Sequence, residues 1–451
     1  MPPSPAPAPV APAPAARRPN IVVIVSDDQT AFDLGCYGNT AVHTPNLDRL
    51  ARDGVRFEHA FVTSPQCSPS RASILTGRSP VAIGMSRLHA PLRPSIPSVL
   101  EPLKKAGYYV ASYRKVHLGD DFQKRWDYAG GFDEAPSTIF SKRPKDRPLF
   151  LWVGFEDPHR PYHPNAFTPP HDPAKVIVPA FLPDTKKVRR DLADYYDAIA
   201  RMDRETGELL DALDAAGLTD DTFVTFASDN GMPFPGAKGS LYDPGIHVPL
   251  LVRWPGHVKP GGVDKDLVSL VDLPATWLDV ANIAIPAEME GRSTLPRIVD
   301  AAAGRAGPSP SPREAVFIER DWHDTQDAVR AVRTKRYSLI QNYRAEIAYA
   351  PTFDLRDSSS WQSIVELHKA GTLAPALVHR YFTAPRASVE LYDLEADKDE
   401  TRNLVGSAAH AGELKRHQEL LSRWMASTND FLPPPVAAHV GRQGQALPTP
   451  P

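Results

Sequence analysis

The chain has 451 residues, 42% of them hydrophobic, and a formal net charge of −3. That length predicts two domains with sizeable cores, and the near-neutral charge excludes a broadly basic nucleic-acid or membrane-surface protein. No apolar run reaches the roughly 18 residues of a membrane span, and two cysteines are too few for a disulfide framework in a chain this long.

Residues 1–18 are rich in proline and alanine and offer no core-forming side chains, so they read as disordered. The tail 433–451 reads as flexible for the same reason. The N-terminus lacks a charged start followed by an apolar core, and no Asn-x-Ser/Thr acceptor occurs, so the expectation is a bacterial cytoplasmic protein.

Five short apolar runs read as buried parallel strands: NIVVIVS (20–26), YYVASY (108–113), PLFLWVGF (148–155), TFVTFAS (222–228) and VPLLVRW (248–254). The clearest helix is 191–217. Leu192, Tyr196, Ile199, Met202, Leu209, Leu210 and Leu213 form its apolar stripe, and Gly217 stops it. KKVRR, 186–190, reads as a solvated helix start. This alternation predicts an α/β domain over 19–305, with a large, mainly parallel sheet flanked by helices. AAAGRAGPSPSPRE, 301–314, reads as a linker. Beyond it, AVRTKRYSLIQN and VELYDLE read as strands and AGELKRHQELLSRWMAST as an amphipathic helix, giving a smaller C-terminal α+β domain over 306–432.

The strand ends carry the chemistry. The first run leads into Asp27-Asp28, the second to Lys115 and His117, the third into Asp157-Pro158-His159, and the fourth into Asp229-Asn230-Gly231. In an open α/β sheet the C-terminal strand ends share one edge, where ligands bind. Asp27, Asp28, Asp229 and Asn230 offer hard oxygen donors, suited to Ca²⁺ or Mg²⁺ and not to zinc. Three carboxylates on one edge repel each other without a cation. Either acidic pair taken alone reads as a turn or a helix cap. A zinc reading through His159 and His163 is poor, because Pro161 and Pro164 deny it a helical spacing.

CSPSRASILTG, residues 67–77, places Ser68 as a helix cap, Pro69 in the first turn and Gly77 at the stop. Cys67 then lies just before a helix N-terminus, a favourable place for an anion. Arg71 adds a permanent, forked cation one turn in. A structural cysteine beside a solvated arginine fits the same residues. Cys36, in GCYGN, reads as structural.

Cys-x-Pro-x-Arg followed by Ala-Ser-Ile-Leu-Thr-Gly resembles the signature of the type I sulfatases, in the alkaline phosphatase superfamily. The resemblance spans residues 20 to about 430. It implies an alkaline-phosphatase-like fold and oxidation of Cys67 to formylglycine by a formylglycine-generating enzyme, with Pro69 and Arg71 as recognition elements. The hydrated aldehyde is then the nucleophile. It further implies Asp27, Asp28, Asp229 and Asn230 as ligands of Ca²⁺, with Mg²⁺ as the alternative. Arg71, Lys115 and Lys238 become sulfate contacts. His117 contacts the formylglycine hydroxyl, and His159 faces the leaving atom.

DPHR, SDNGMPFPGAKGSLYDPG, YAPTFDL and ELYDLEADKDETRNL are similar to the sulfamidase branch of that family. That likeness implies hydrolysis of a sulfamate or sulfate ester on a sugar, with heparan-type N-sulfoglucosamine first. Lys238 departs from the arginine expected in that branch. ERDWHDT adds His323 and Asp324 as substrate contacts closing the pocket. An O-sulfatase, a phosphonate or phosphodiester hydrolase on the same scaffold, and a non-catalytic binder of sulfated glycans with unmodified Cys67 stay open. No nucleic-acid or membrane partner is expected, and a homodimer stays open.

Overall fold

Strand β1 (Asn20–Ser26) is buried along its whole length, because its alternate residues feed two cores. Ile21, Val23 and Val25 pack with Trp152 and Trp277 on one face of the sheet. Val22 and Ile24 pack with Tyr195, Ile199 and Met202 on the other. Each such aliphatic side chain contributes about 1.5–3 kcal/mol by leaving water. The computed structural model describes residues 18–163, 167–299 and 313–433. The expectations for the Pro/Ala-rich N-terminus, the C-terminal tail and most of the 301–314 linker lie outside the described residues.

The large sheet adds β2 (Val55–Phe61), β3 (Tyr109–Arg114), β4 (Tyr128–Gly130), β5 (Leu149–Gly154), β6 (Thr222–Ser228), β7 (Leu250–Arg253) and β8 (Gly262–Ser269), in the order β4-β3-β5-β1-β6-β7-β2-β8. β1 runs parallel to both neighbours, with Val25 level with Gly154 and Ala227. The ends of β1, β3, β5 and β6 therefore meet on one edge.

The run at 248–254 departs from expectation. β7 is antiparallel to both β6 and β2. Ala227 pairs with Leu250, so the chain turns back at the edge where β6 ended, without the crossover that parallel pairing requires. β2 and β8 escaped notice because neither is a continuous apolar run. β8 alternates half-buried and exposed residues over Gly262–Asp266 before its buried end.

The long helix spans Lys186–Ala215, starting five residues before and ending two residues before the expected 191–217. Thr185 caps it by accepting from the Val188 N–H at 3.3 Å. The basic start is solvated and ion-paired: Lys187 with Glu366, Arg189 with Asp184 and Arg190 with Asp194.

A second, antiparallel sheet has the order β12-β11-β10-β9: β9 (Val316–Trp322), β10 (Gln326–Arg333), β11 (Tyr337–Asn342) and β12 (Val389–Asp393). The helix Ala411–Ser427 covers it, packing Leu420, Leu421 and Trp424 on Val332, Leu339 and Leu391. Glu319 N donates to Thr63 O at 2.9 Å, tying this sheet to the chain that leads into Cys67. Among the described residues, no helix is long and apolar enough to cross a membrane.

Candidate active site

The helix Cys67–Thr76 lies on the catalytic edge of the large sheet, and all ten of its residues are buried. Its N-cap is Gln66, and Cys67 is the first helical residue, so Ser68 is not the cap. The Ser68 hydroxyl is engaged elsewhere, accepting from the His89 N–H at 2.7 Å. Pro69 still falls within the first turn, where its missing N–H costs nothing. Gly77 ends the helix with a left-handed φ of 69°.

The Cys67 thiol donates to Asp27 Oδ1 at 3.4 Å and lies 3.9 Å from Asp28 Oδ1. Burial, and then the Asp27 carboxylate, push this thiol well above its ordinary range. Both cysteines are free. Cys36 is half-buried, and its N–H donates to Asp48 at 2.7 Å.

Arg71 is fully buried and not solvated. Its Nε donates to Asp229 Oδ2 at 2.7 Å and its Nη1 to Lys115 O at 2.8 Å. Its Nη2 has no hydrogen-bond partner and lies 3.8 Å from Asp27 Oδ1. Lys115, just past β3, pairs with Asp27. Lys238 reaches Asp28 Oδ2 at 2.7 Å. Burial alone would raise Asp27, yet Lys115, His159 and Arg71 together hold it far below the usual carboxylate range. Burial pushes Asp229 upward, against the pull of Arg71.

The donors suit a hard divalent cation. Asp27, Asp28, Asp229 and Asn230 are all buried, and the Oδ1 of Asn230 is unpartnered. Asn230 Nδ2 donates to Asp28 Oδ1 at 2.7 Å, which leaves its carbonyl oxygen as a free acceptor. Asp27, Cys67 and Asp229 bring ligand atoms within 4.8 Å of one another, as do Asp28, Cys67 and His159. Asp28 holds a left-handed φ of 68°. For a residue with a Cβ that conformation costs roughly 1–2 kcal/mol.

Two histidines flank this cluster. His117 Nε2 meets His89 Nδ1 at 2.5 Å, while its buried Nδ1 has no partner. Burial, followed by Lys115 and Arg71, lowers His117 to about 3, so it is neutral at physiological pH. His159 Nε2 lies 3.7 Å from Asp28 Oδ2 and 3.7 Å from Asp354 Oδ2. A cleft of about 530 Å³ opens beside His159 and Lys115, lined also by Arg114, Asp157, Arg201 and Glu205. His163 lines that cleft, but it joins no metal-binding cluster among the described residues.

The C-terminal sheet contributes through the turn between β9 and β10. Asp324 Oδ2 meets His323 Nδ1 at 2.8 Å and accepts from the Phe353 N–H at 2.7 Å. This contact holds the short helix Phe353–Arg356, from which Asp354 reaches Lys238 at 2.7 Å. His323 Nε2 is buried without a partner. Sequence reasoning missed Asp354 and His89. Asp354 lies in YAPTFDL, a stretch quoted above for its family likeness, but a four-residue helix carries no periodicity that would single out one carboxylate.

A family model described as Sulfatase matches residues 19–139 and 132–283. A second, described as N-sulphoglucosamine sulphohydrolase, C-terminal, matches residues 237–383. N-sulphoglucosamine sulphohydrolase of Homo sapiens is 32% identical, over 92% of this chain and 91% of its own. An ulvan-active sulfatase of Formosa agariphila is 28% identical, over 92% of this chain and 76% of its own. Solved structures share the fold at lower identity. A protein in complex with its substrate D-glucosamine-2-N,6-O-disulfate superposes with a TM-score of 0.69 and 19% identity, covering 92% of this chain and 99% of that one. The phosphonate monoester hydrolase of Silicibacter pomeroyi gives 0.68 and 20%, covering 92% and 96%. With both family models and the human relative matched along most of its length, the chain belongs to the sulfatase family and is a sulfuric ester hydrolase.

Proposed function

We propose that the chain hydrolyses a sulfamate or sulfate ester on a sugar, heparan-type N-sulfoglucosamine first, using a formylglycine made from Cys67 by a formylglycine-generating enzyme. The observation that carries this reading is the setting of Cys67: the first residue of a buried helix, in contact with Asp27, and ringed by Arg71, Lys115 and Lys238. The likeness to the human N-sulphoglucosamine sulphohydrolase supports the sugar assignment. The C-terminal segment over 306–432 acts in this reading as the domain that closes the pocket, and 19–305 as the catalytic domain. A bacterial cytoplasmic setting belongs to the same reading.

Members of this family generally use a formylglycine and a divalent metal. Here Asp27, Asp28, Asp229 and Asn230 would hold Ca²⁺. The hydrated aldehyde would supply the attacking hydroxyl, and the metal, when bound, would polarise the sulfuryl oxygens. The remaining work falls to side chains. Arg71, Lys115 and Lys238 surround the sulfuryl oxygens with fixed positive charge. His159 Nε2, at the mouth of the cleft, delivers a proton to the departing nitrogen or oxygen. His117, neutral and with its Nδ1 unpaired, accepts the proton released at position 67.

The test is the mass of the tryptic peptide FEHAFVTSPQCSPSR, residues 57–71, from protein co-produced with a formylglycine-generating enzyme. A carbonyl in place of the thiol, with turnover of N-sulfoglucosamine above that of O-sulfated and phosphonate substrates, supports the reading. An intact thiol sinks the mechanism. Faster phosphonate turnover moves the assignment to the alternative whose fold is shared at a TM-score of 0.68.

A further inference from the structure

We propose that Asp354 sets the charge that the sulfuryl pocket accepts, favouring monoanions over dianions. The proposal rests on the sulfatase reading of the site. Sulfate esters and sulfamates carry one negative charge. Phosphate monoesters carry about 1.5–2 near neutral pH, and free sulfate carries two.

Three cations face the reacting position, and one of them is shared. Lys238 Nζ lies 2.7 Å from Asp28 Oδ2 and 2.7 Å from Asp354 Oδ2. Asp28 belongs to the metal donor set, whereas Asp354 does not. It comes from another part of the chain and sets a negative charge against a lysine that serves an anion. It is also 3.7 Å from His159 Nε2, so it lies on the side where the substrate leaves. Its Oδ1 is buried and has no partner.

The carboxylate is fixed and not free to swing away. The Asp324 carboxylate holds the Phe353 N–H beside it at 2.7 Å. Burial alone would raise Asp354, but Lys238 and His323 hold it well below the usual carboxylate range, so it is charged. A pocket built only to hold anions gains nothing from such a group, because it opposes every ligand in proportion to the ligand's charge. Across about 5 Å at an effective dielectric of about 20, one further unit of charge changes affinity at least about tenfold.

Turnover makes that selection useful. A sulfamate R–NH–SO₃⁻ and water give R–NH₃⁺ and SO₄²⁻. An ester R–O–SO₃⁻ and water give R–OH, SO₄²⁻ and H⁺. In both, the S–N or S–O bond breaks, a new S–O bond forms, and the bound anion gains one negative charge. Asp354 therefore weakens the hold on product relative to substrate, and rejects phosphate monoesters by the same field.

Methanesulfonate and inorganic sulfate present similar sulfuryl oxygens with one and two charges, and neither is a substrate. Their affinities for the Ca²⁺-loaded protein, measured by titration calorimetry at about pH 7, separate charge from shape. Asp354→Asn is expected to shift the ratio of the two affinities toward sulfate by at least about tenfold, and Asp354→Glu to leave it within about twofold. A ratio unmoved in Asp354→Asn, at a wild-type melting temperature, overturns the proposal, as does an Asp354→Glu ratio that follows Asp354→Asn. Hydrolysis of an aryl sulfate by the wild type is read separately. Its absence, with the ratio shift present, removes the catalytic reading and leaves the charge selection standing.

Discussion

Two arginines are wholly buried among the described residues, and they are dressed differently. Arg330, in the C-terminal sheet, uses all three guanidinium nitrogens. Nε and Nη2 donate to Asp430, and Nη1 donates to Asp321 and to the carbonyls of Arg320 and Val329. Arg71, on the catalytic edge, satisfies Nε and Nη1 but leaves Nη2 without a hydrogen bond. A buried donor left open costs about 1–3 kcal/mol. The chain bears that cost beside Cys67 and avoids it at Arg330. Beside Cys67 such an open donor is available to a ligand, although buried atoms far from the site, such as Trp126 Nε1 and Arg253 Nε, are open as well. Asn230 Oδ1 and His117 Nδ1 are open in the same way.

The comparison can be broken at several strengths. Cys67→Ala should abolish turnover while the melting temperature stays near wild type, as read by calorimetry. Retained activity would remove position 67 from the chemistry. Arg71→Lys keeps the charge but loses the fork, and should lower kcat/KM by about 10²–10³ with little change in fold. Arg330→Ala should show the opposite split. It leaves Asp321 and Asp430 unpaired and should destabilise the fold by about 3–5 kcal/mol in urea titrations, with near-normal kcat per folded molecule. Equal losses of activity and stability in both arginine variants would erase the distinction.

The last test is a slope. Burial raises Asp33 to about 7, against hydrogen bonds from Tyr195 and the Thr30 N–H. The unfolded chain releases this proton near its ordinary 3.8, while the folded chain keeps it to about 7. Its contribution is therefore full below pH 4 and falls by about 1.4 kcal/mol per unit as pH rises toward 7. Asp33→Asn should remove that fall, visible as stability curves that agree at low pH and diverge as pH rises toward 7. A wild-type slope unchanged by the substitution would place the titration elsewhere.

Much of the site was legible because strand ends and a helix start are local features. Asp27, Asp28, Asp229, Asn230, Lys115, His117 and His159 each follow an apolar run directly, and Cys67 and Arg71 lie in one short motif. Parallel strands then carry them to a common edge. What escaped depends on long-range pairing. The direction of β7 follows from where its loop begins, not from its own apolar run. β8, on the sheet edge, lacks such a run because its first half is partly solvated. His89 matters because its ring meets His117 and its N–H meets Ser68, and both partners are far from it in sequence. The cap was misplaced by two residues for the same reason, since the Ser68 hydroxyl serves His89 and not the helix start.

The reversal of β7 has a consequence for how this enzyme can be altered. Because the chain turns back after β6, everything from Asp229 to Lys238 stays on the catalytic edge, within one connection that ends at Leu250. The proposed metal donors Asp229 and Asn230 and the proposed anion-binding Lys238 lie in one connection, so a length change there disturbs both. Asp354 sits on a separate segment, tied to Asp324 through the Phe353 N–H and to Lys238 through its own carboxylate. If Asp354 sets the charge that the pocket accepts, that segment is where the preference can be rewritten.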